Sequence, residues 1–331
     1  MAVLVCGGAG YIGSHCVKML IARGEEVVVL DNLSTGFKAA IDPKAKFYSG
    51  DVHDGSILTE IFTQNEVTEV IHFCAYSLVG ESMKEPLKYY YNNVGGTISL
   101  LHSMMIFNVK KIIFSSSAAT YGEHTVMPLD ETTETRPTNT YGETKLAMEK
   151  MMKWAEAAYG LKYIALRYFN VAGAHHTAEI GEAHNPETHL IPIILQVPLN
   201  QREHVTIFGN DYDTKDGTCI RDYIHVEDLI DAHILAMDAL RNGAQSNIYN
   251  LGSGEGYSVL EMVEAARFVT GHPIPVRIAD RRAGDPAELV ASSKKIEQEL
   301  GWKRKYTKVE EIISSAWGFH MTHPFGYKNK R

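Results

Sequence analysis

The feature that most restricts the fold is local: an apolar run, Ala2 to Cys6, passes straight into Gly7-x-x-Gly10-x-x-Gly13 and a helical pattern, Ile12 to Arg23, that stops at Gly24. A second apolar run, Val27 to Leu30, follows, and strand, glycine turn, helix and strand in that order form a βαβ unit. Glycines at such a turn permit a tight reversal, let the backbone approach a pyrophosphate, and aim helix N-terminal amides at an anion. A glycine turn without a ligand is the alternative, but correct flanking by strand and helix argues against it.

The alternation continues. Apolar runs at Phe47-Tyr48, Val70 to Phe73, Lys111 to Phe114 and Tyr163 to Tyr168 are separated by helical stretches near Ile57 to Gln64, Leu87 to Phe107 and Tyr141 to Tyr159. Strands alternating with helices specify an α/β fold with a doubly wound parallel sheet. After about residue 170 a Gly/His/Asn/Pro-containing stretch runs through Pro186, followed by mixed short strands and helices. Residues 1–170 are therefore expected to bind a dinucleotide, and 171–331 to form a smaller, interleaved α/β substrate-binding domain. The run Asp222 to Val226, the helical Glu227 to Leu240 and Ile248-Tyr249-Asn250 are expected to return, in part, to the first domain.

A chain of 331 residues suits one large α/β unit plus a companion, and 45% hydrophobic residues can bury a real core. A net charge of -8 excludes a dominant basic field, so neither nucleic acid nor an anionic membrane is an expected partner. Apolar runs are short and no basic leader precedes Ala2, which reads as a mature soluble protein. Cys6, Cys16, Cys74 and Cys219 show no Cys-x-x-Cys spacing and fit a reducing cytoplasm. His175-His176, His184 and His189 have no Cys partner and no His-Glu-x-x-His arrangement, so no metal is expected.

Tyr141 and Lys145 lie four residues apart, about one helical turn, so an ammonium can sit beside the phenol and favour its ionised form. Bringing a phenol from about 10 to about 7 requires roughly 4 kcal/mol of preferential phenolate stabilisation. That spacing is common on amphipathic helices; its place downstream of a nucleotide loop and a serine run is what points to proton and hydride chemistry on an alcohol. Ser115-Ser116-Ser117 follows the run Lys111 to Phe114 and so falls at the ligand-facing edge of the sheet, where Ser117 can bind a reacting oxygen. Asp31 ends the second strand, eighteen residues beyond Gly13, where a carboxylate can accept both hydroxyls of an adenosine ribose. It would repel a ribose phosphate and no arginine is near in sequence, which favours NAD over NADP. Asp51-Val52 is open between an adenine contact and a plain turn.

Taken in order, the glycine loop, Asp31-Asn32, Phe114-Ser115-Ser116-Ser117, Tyr141-x-x-x-Lys145 and Arg167-Tyr168-Phe169-Asn170 resemble the extended short-chain dehydrogenase/reductase family. The resemblance extends through Tyr89 to Val94, Ile207 to Tyr212, Arg221 to Val226, Tyr249 to Gly252, Arg281 to Asp285 and His323 to Tyr327. It implies a Rossmann-type sheet, with Tyr141 as base, Lys145 lowering its pKa and binding nicotinamide ribose, and Ser117 holding a sugar oxygen. NAD contacts are implied for Gly7, Gly10, Tyr11, Ile12 and Gly13, for Asp31, Asn32, Leu33, Ser34, Thr35 and Gly36, and for Asp51 and Val52. Phe73, Cys74, Ala75, Tyr76, Ser77, Asn92 and Phe169 complete that side. Implied substrate contacts are Asn170, His189, Leu190, Thr206, Phe208, Arg221, Tyr223, Arg282 and Asp285, with Arg221 and Arg282 clamping a diphosphate. Without the resemblance, ion pairs of these arginines with Asp222 or Asp285 are the plainer reading. Ser77 stands where many members carry a lysine, and His189 where some carry asparagine. Leu289 falls where some place a bulky tyrosine, which would leave room for an N-acetyl group on the sugar.

The activity implied is interconversion of UDP-glucose and UDP-galactose through a transient 4-keto sugar with tightly bound NAD, in a homodimer formed through the helices Leu87 to Phe107 and Tyr141 to Tyr159. A nucleotide-sugar 4,6-dehydratase needs an Asp-Glu pair after the active-site serine, where this chain has Ala118-Ala119. A non-catalytic NAD sensor would have no use for the Tyr/Lys pair.

Overall fold

Residues 1–282 and 285–327 are described by the structure, a computed structural model; within the segment Arg281 to Asp285, Ala283 and Gly284 lie outside the described residues. Six strands, β1 (Ala2–Cys6), β2 (Glu26–Asp31), β3 (Lys46–Ser49), β4 (Val67–His72), β5 (Lys111–Ser115) and β6 (Lys162–Tyr168), join a seventh, Asn247–Leu251, in one sheet. Its order is Asn247–Leu251, β6, β5, β4, β1, β2, β3, with every neighbouring pair parallel. Chain order reverses between β1 and β4, and the crevice at that switch point is where such sheets bind ligands.

Period-two alternation along β1 decides which helices cover which face. Ala2, Leu4 and Cys6 pack with Leu58, Ile61, Leu100, Met148 and Met152, which come from helices Gly55–Gln64, Gly96–Ile106 and Thr140–Tyr159. Val3 and Val5 point to the other side, where Cys16, Val17 and Leu20 of helix Tyr11–Ala22 and Leu229, Ile230 and Met237 of helix Val226–Arg241 meet them. Both faces are buried, so the strands read as continuous apolar runs. The stretch expected to be one helix, Leu87 to Phe107, is α-helical at Pro86–Tyr89, widens to a π-helix over Tyr90–Gly95, and resumes as Gly96–Ile106. A π turn of this kind redirects side chains mid-helix and recurs at functional sites.

The remainder builds a second core from Ile191, Ile194, Leu195, Met262, Val263, Ile312 and Ile313. Small sheets surround it: Asn170–Ala172 pairs with Tyr223–His225, Val205–Phe208 with Val276–Ala279, and Ile220–Arg221 lies between Tyr257–Ser258 and Glu288–Leu289. Chain that leaves β6 thus builds this second unit and re-enters the main sheet only at Asn247–Leu251. No helix among the described residues is long and apolar enough to cross a membrane.

Candidate active site

At the switch point a cleft of about 500 Å³ opens between the sheet edge and the second unit. Its floor is the glycine loop. Gly7 sits at φ +84, and a Cβ on Gly13 would stand 2.0 Å from the Gly7 carbonyl oxygen, so only glycine lets the helix start press against the turn. Gly10 is the N-cap of helix Tyr11–Ala22 and no side chain caps it, so the first-turn amides face the cleft that Gly10, Tyr11, Ile12 and Gly13 line. This cradle fits a dinucleotide pyrophosphate.

Asp31 ends β2, and its carboxylate accepts the amides of Ala9 at 2.9 Å and Leu33 at 2.8 Å. Burial raises its pKa against those two bonds, and it lines the cleft beside Asn32, Ser34 and Thr35. Asp51 is held by the amide and ring of His53, at 2.9 and 2.7 Å, and by Asn32 at 2.7 Å. Burial opposes its ionisation, but those donors outweigh it and the pKa falls. Val52, Phe73, Cys74, Ala75, Tyr76, Ser77, Asn92 and Phe169 also line the cleft. Leu33 and Gly36 do not; Gly36 instead packs on Ala9, where a Cβ would come within 2.7 Å of the backbone.

Helix Thr140–Tyr159 carries Tyr141 and Lys145. Asn139 caps it by accepting the Gly142 amide at 2.9 Å, and a Cβ on Gly142 would lie 2.3 Å from the Ala119 carbonyl oxygen. Glycine at 142 therefore lets the helix approach the turn that follows Ser117, which brings the Tyr141 phenol against the Ser117 hydroxyl. The three serines divide their work: Ser115 meets the Tyr168 hydroxyl, Ser116 donates to Glu149 at 2.5 Å, and Ser117 faces Tyr141 in the cleft. Lys145 donates to the Ser115 carbonyl at 2.7 Å, 5.9 Å from the centroid of the Tyr141 ring.

Electrostatics here differ from the expectation that Lys145 depresses the phenol. Burial raises the Tyr141 pKa, and the group that opposes this is Ser117. Burial also lowers Lys145 to about 7. In both groups desolvation is the largest influence, opposed by Ser117 at Tyr141 and by Cys74 and Glu149 at Lys145.

On the substrate side the cleft is lined by Asn170, His189, Arg221, Asp285 and Leu289. Arg221 donates to the carbonyls of Ile220 at 2.8 Å and Pro286 at 2.9 Å and stands 3.8 Å from Asp285. Asp222 is turned away from it, buried against the Ser253 and Ala291 amides. The other expected contacts lie outside the cleft lining: Leu190 begins a helix, Tyr223 is in the second core, Thr206 and Phe208 are on a small sheet, and Arg282 stacks over Phe208 at 4.1 Å.

Three features were not legible from spacing. Arg167 of β6 grips Glu149 with bonds of 2.9 and 2.5 Å, and both side chains are nearly fully buried. Asn93, in the π turn, accepts the Tyr76 amide at 2.8 Å and donates to Thr144 at 3.0 Å, tying a cleft loop to the Tyr141 helix. Finally, one loop brings His184 and His189 together with Glu182 and Glu187 at the cleft margin, although their spacing gave no ligand pattern.

Residues 3–252 match the NAD dependent epimerase/dehydratase family. The chain is 56% identical, over the full length of both proteins, to the UDP-glucose 4-epimerase of Lacticaseibacillus casei. A crystal structure of UDP-glucose 4-epimerase superposes with a TM-score of 0.98 at 57% identity, over 99% of this chain and 100% of that one. The Bifidobacterium longum UDP-glucose 4-epimerase, solved in complex with NAD+ and UDP, superposes with a TM-score of 0.93 at 38% identity, over 99% of this chain and 100% of that one.

Proposed function

The chain belongs to the NAD dependent epimerase/dehydratase family, and we propose that it interconverts UDP-glucose and UDP-galactose by epimerisation at carbon 4. One observation carries this reading: Tyr141, Ser117 and Lys145 converge in a single cleft with the glycine cradle and Asp31. NAD, which that cradle fits, supplies an acceptor for the hydrogen on carbon 4 and returns it, so no external reductant is consumed.

The protein's own residues handle the proton and the grip. Ser117 and Tyr141 hold the sugar 4-oxygen, and Tyr141 takes the hydroxyl proton as the 4-keto sugar forms, then gives it back. Lys145, held by the Ser115 carbonyl, supplies a donor toward the nicotinamide ribose. Asn170, His189 and Arg221 grip the nucleotide end, with Arg221 offering its guanidinium to the diphosphate. Holding the UDP firmly and the hexose lightly lets the ketone turn over and present its opposite face. Ala118 and Ala119 follow Ser117 along the cleft and provide neither acid nor base, which opposes dehydration. The test is incubation with UDP-galactose: UDP-glucose should form without net NADH, whereas a stable keto sugar or no product would reject the assignment.

Leu289 lines the cleft and, like Phe169 and Met127, packs against the cluster of Ala118, Tyr121 and Leu129. A side chain of that size leaves space for an acetamido group, and we assign activity on UDP-N-acetylglucosamine to it. Leu289→Tyr should lower kcat/KM for the N-acetylated sugar by at least ~10-fold more than for UDP-glucose, a discrimination of about 1.4 kcal/mol. Equal losses on both substrates would remove the assignment.

A cytoplasmic homodimer completes the reading. Leu87, Tyr91, Ile98 and Trp154 are 53–81% exposed on the two helical segments Pro86–Ile106 and Thr140–Tyr159, a large apolar presentation for a lone subunit. Sedimentation equilibrium should give twice the 36.8 kDa chain mass, and a monomer at micromolar concentration would exclude the dimer.

A further inference from the structure

The loop between Ala172 and Leu190 folds four potential ligands onto one point: Glu182, His184, Glu187 and His189 each offer an atom within 4.8 Å of the others. Around the ring they make, His184 Nδ1 lies 3.3 Å from Glu182 and 3.6 Å from Glu187, and His189 Nδ1 lies 3.0 and 3.1 Å from the same two carboxylates. An ordinary ion pair aims one N–H at one acceptor. Here both histidines place the same ring nitrogen between two carboxylates, and the buried His184 Nδ1 meets Glu182 and Glu187 only at the long separations of 3.3 and 3.6 Å.

We propose that Glu182, His184, Glu187 and His189 form a binding site for a divalent transition metal of the Zn²⁺ class. Ligand atoms about 2.1 Å from a tetrahedral Zn²⁺ stand about 3.4 Å from each other, within the range of the imidazole–carboxylate separations above, in which His184 meets one oxygen of Glu187 and His189 the other. Two imidazoles select against Mg²⁺ and Ca²⁺, which take six or more oxygens, and two carboxylates match the ion's charge. Glu182 and Glu187 are only 5% and 9% exposed, so their charge is balanced within the loop rather than by solvent. The Glu187 carboxylate also accepts the amides of Thr188 and His189, which presets the loop for the ligand.

Four protein ligands leave no position for a reactive water, so the site is structural. It pins the loop against Tyr11, whose ring meets His184 edge-on at 6.3 Å, and sets the entry to the helix that starts at Leu190. Because His189 also lines the cleft, pinning the loop sets where that residue stands toward the nucleotide end of the substrate.

The test uses the full-length protein after dialysis against a chelator. Titration with Co²⁺ should give the visible bands of a four-coordinate ion, Zn²⁺ should displace it, and Mg²⁺ should not. A second cluster, His175, His176 and Glu227, is excluded through His176→Ala, because His176 is largely exposed. That variant should retain about one equivalent of Zn²⁺ after desalting, and adding His184→Gln should remove it, weakening affinity beyond the ~10–100-fold that loss of an outer partner costs. Absence of four-coordinate Co²⁺ bands in the unmodified protein, which needs no substitution to fold, would overturn the proposal. Loss of all binding in His176→Ala, or unchanged affinity with His184→Gln, would overturn it too.

Discussion

Tyr141→Phe should leave the protein folded, loaded with NAD and able to bind UDP, while kcat falls by about 10²–10⁴-fold, the range ascribed to a positioned general base. Only one oxygen is removed. The ring stays in its place at the start of helix Thr140–Tyr159, so the cap at Asn139 and the packing through Gly142 persist. What disappears is the hydroxyl that meets Ser117, the group through which the 4-hydroxyl proton passes. Burial raises the phenol's pKa, so its ionisation depends on positive charge brought beside it by the bound cofactor. Measuring UDP-galactose turnover alongside cofactor content and UDP affinity separates chemistry from binding. A variant with near-normal kcat would falsify the base assignment, and one that had merely lost NAD would show it in its absorbance.

The second large effect lies behind the cleft. Arg167→Leu should cost about 3–5 kcal/mol of stability, because it leaves Glu149 as an unpaired buried carboxylate. Both partners are at most 5% exposed, the pair is joined by two bonds, and Ser116 donates to the same carboxylate. Replacing both, in Glu149→Leu with Arg167→Leu, should recover a large part of the loss, since the desolvation cost of both charges goes with them. Urea midpoints of the two single variants and the double, at fixed NAD, test this; strictly additive losses would mean that the pair is not coupled. Turnover should fall as well. Ser116 sits between Ser115, which holds Lys145, and Ser117, which meets Tyr141, so loosening Glu149 disturbs both contacts.

Elements with strong local periodicity were readable without coordinates. The run Ala2 to Cys6 is a strand, the pattern Ile12 to Arg23 is a helix over Tyr11–Ala22, and Tyr141 to Tyr159 is a helix with the two chemical residues on consecutive turns. The stretch Leu87 to Phe107 was legible as helical but not as π-wound at Tyr90–Gly95, because hydrophobic spacing is blind to one inserted residue per turn. Arg282 shows a different limit: its chemistry suits a phosphate, but spacing gave no sign that the guanidinium stacks on Phe208, a neighbour brought to it by the strand Val205–Phe208.

The succession of strands and helices along the chain, the glycine loop and the Tyr-x-x-x-Lys spacing were settled by the chain itself, since each depends on residues a few positions apart and on the two periods of regular backbone. Which groups share a dry pocket was decided only by tertiary structure. Glu149 meets Arg167 across a helix and a strand, Asn93 meets Thr144 across 51 residues, and two glutamates meet two histidines through a loop with no regular repeat. Charge balance in such places follows from desolvation, and desolvation is supplied by segments distant in sequence. That is why Lys145 reads as an ordinary ammonium in the sequence and is held near 7 in the fold.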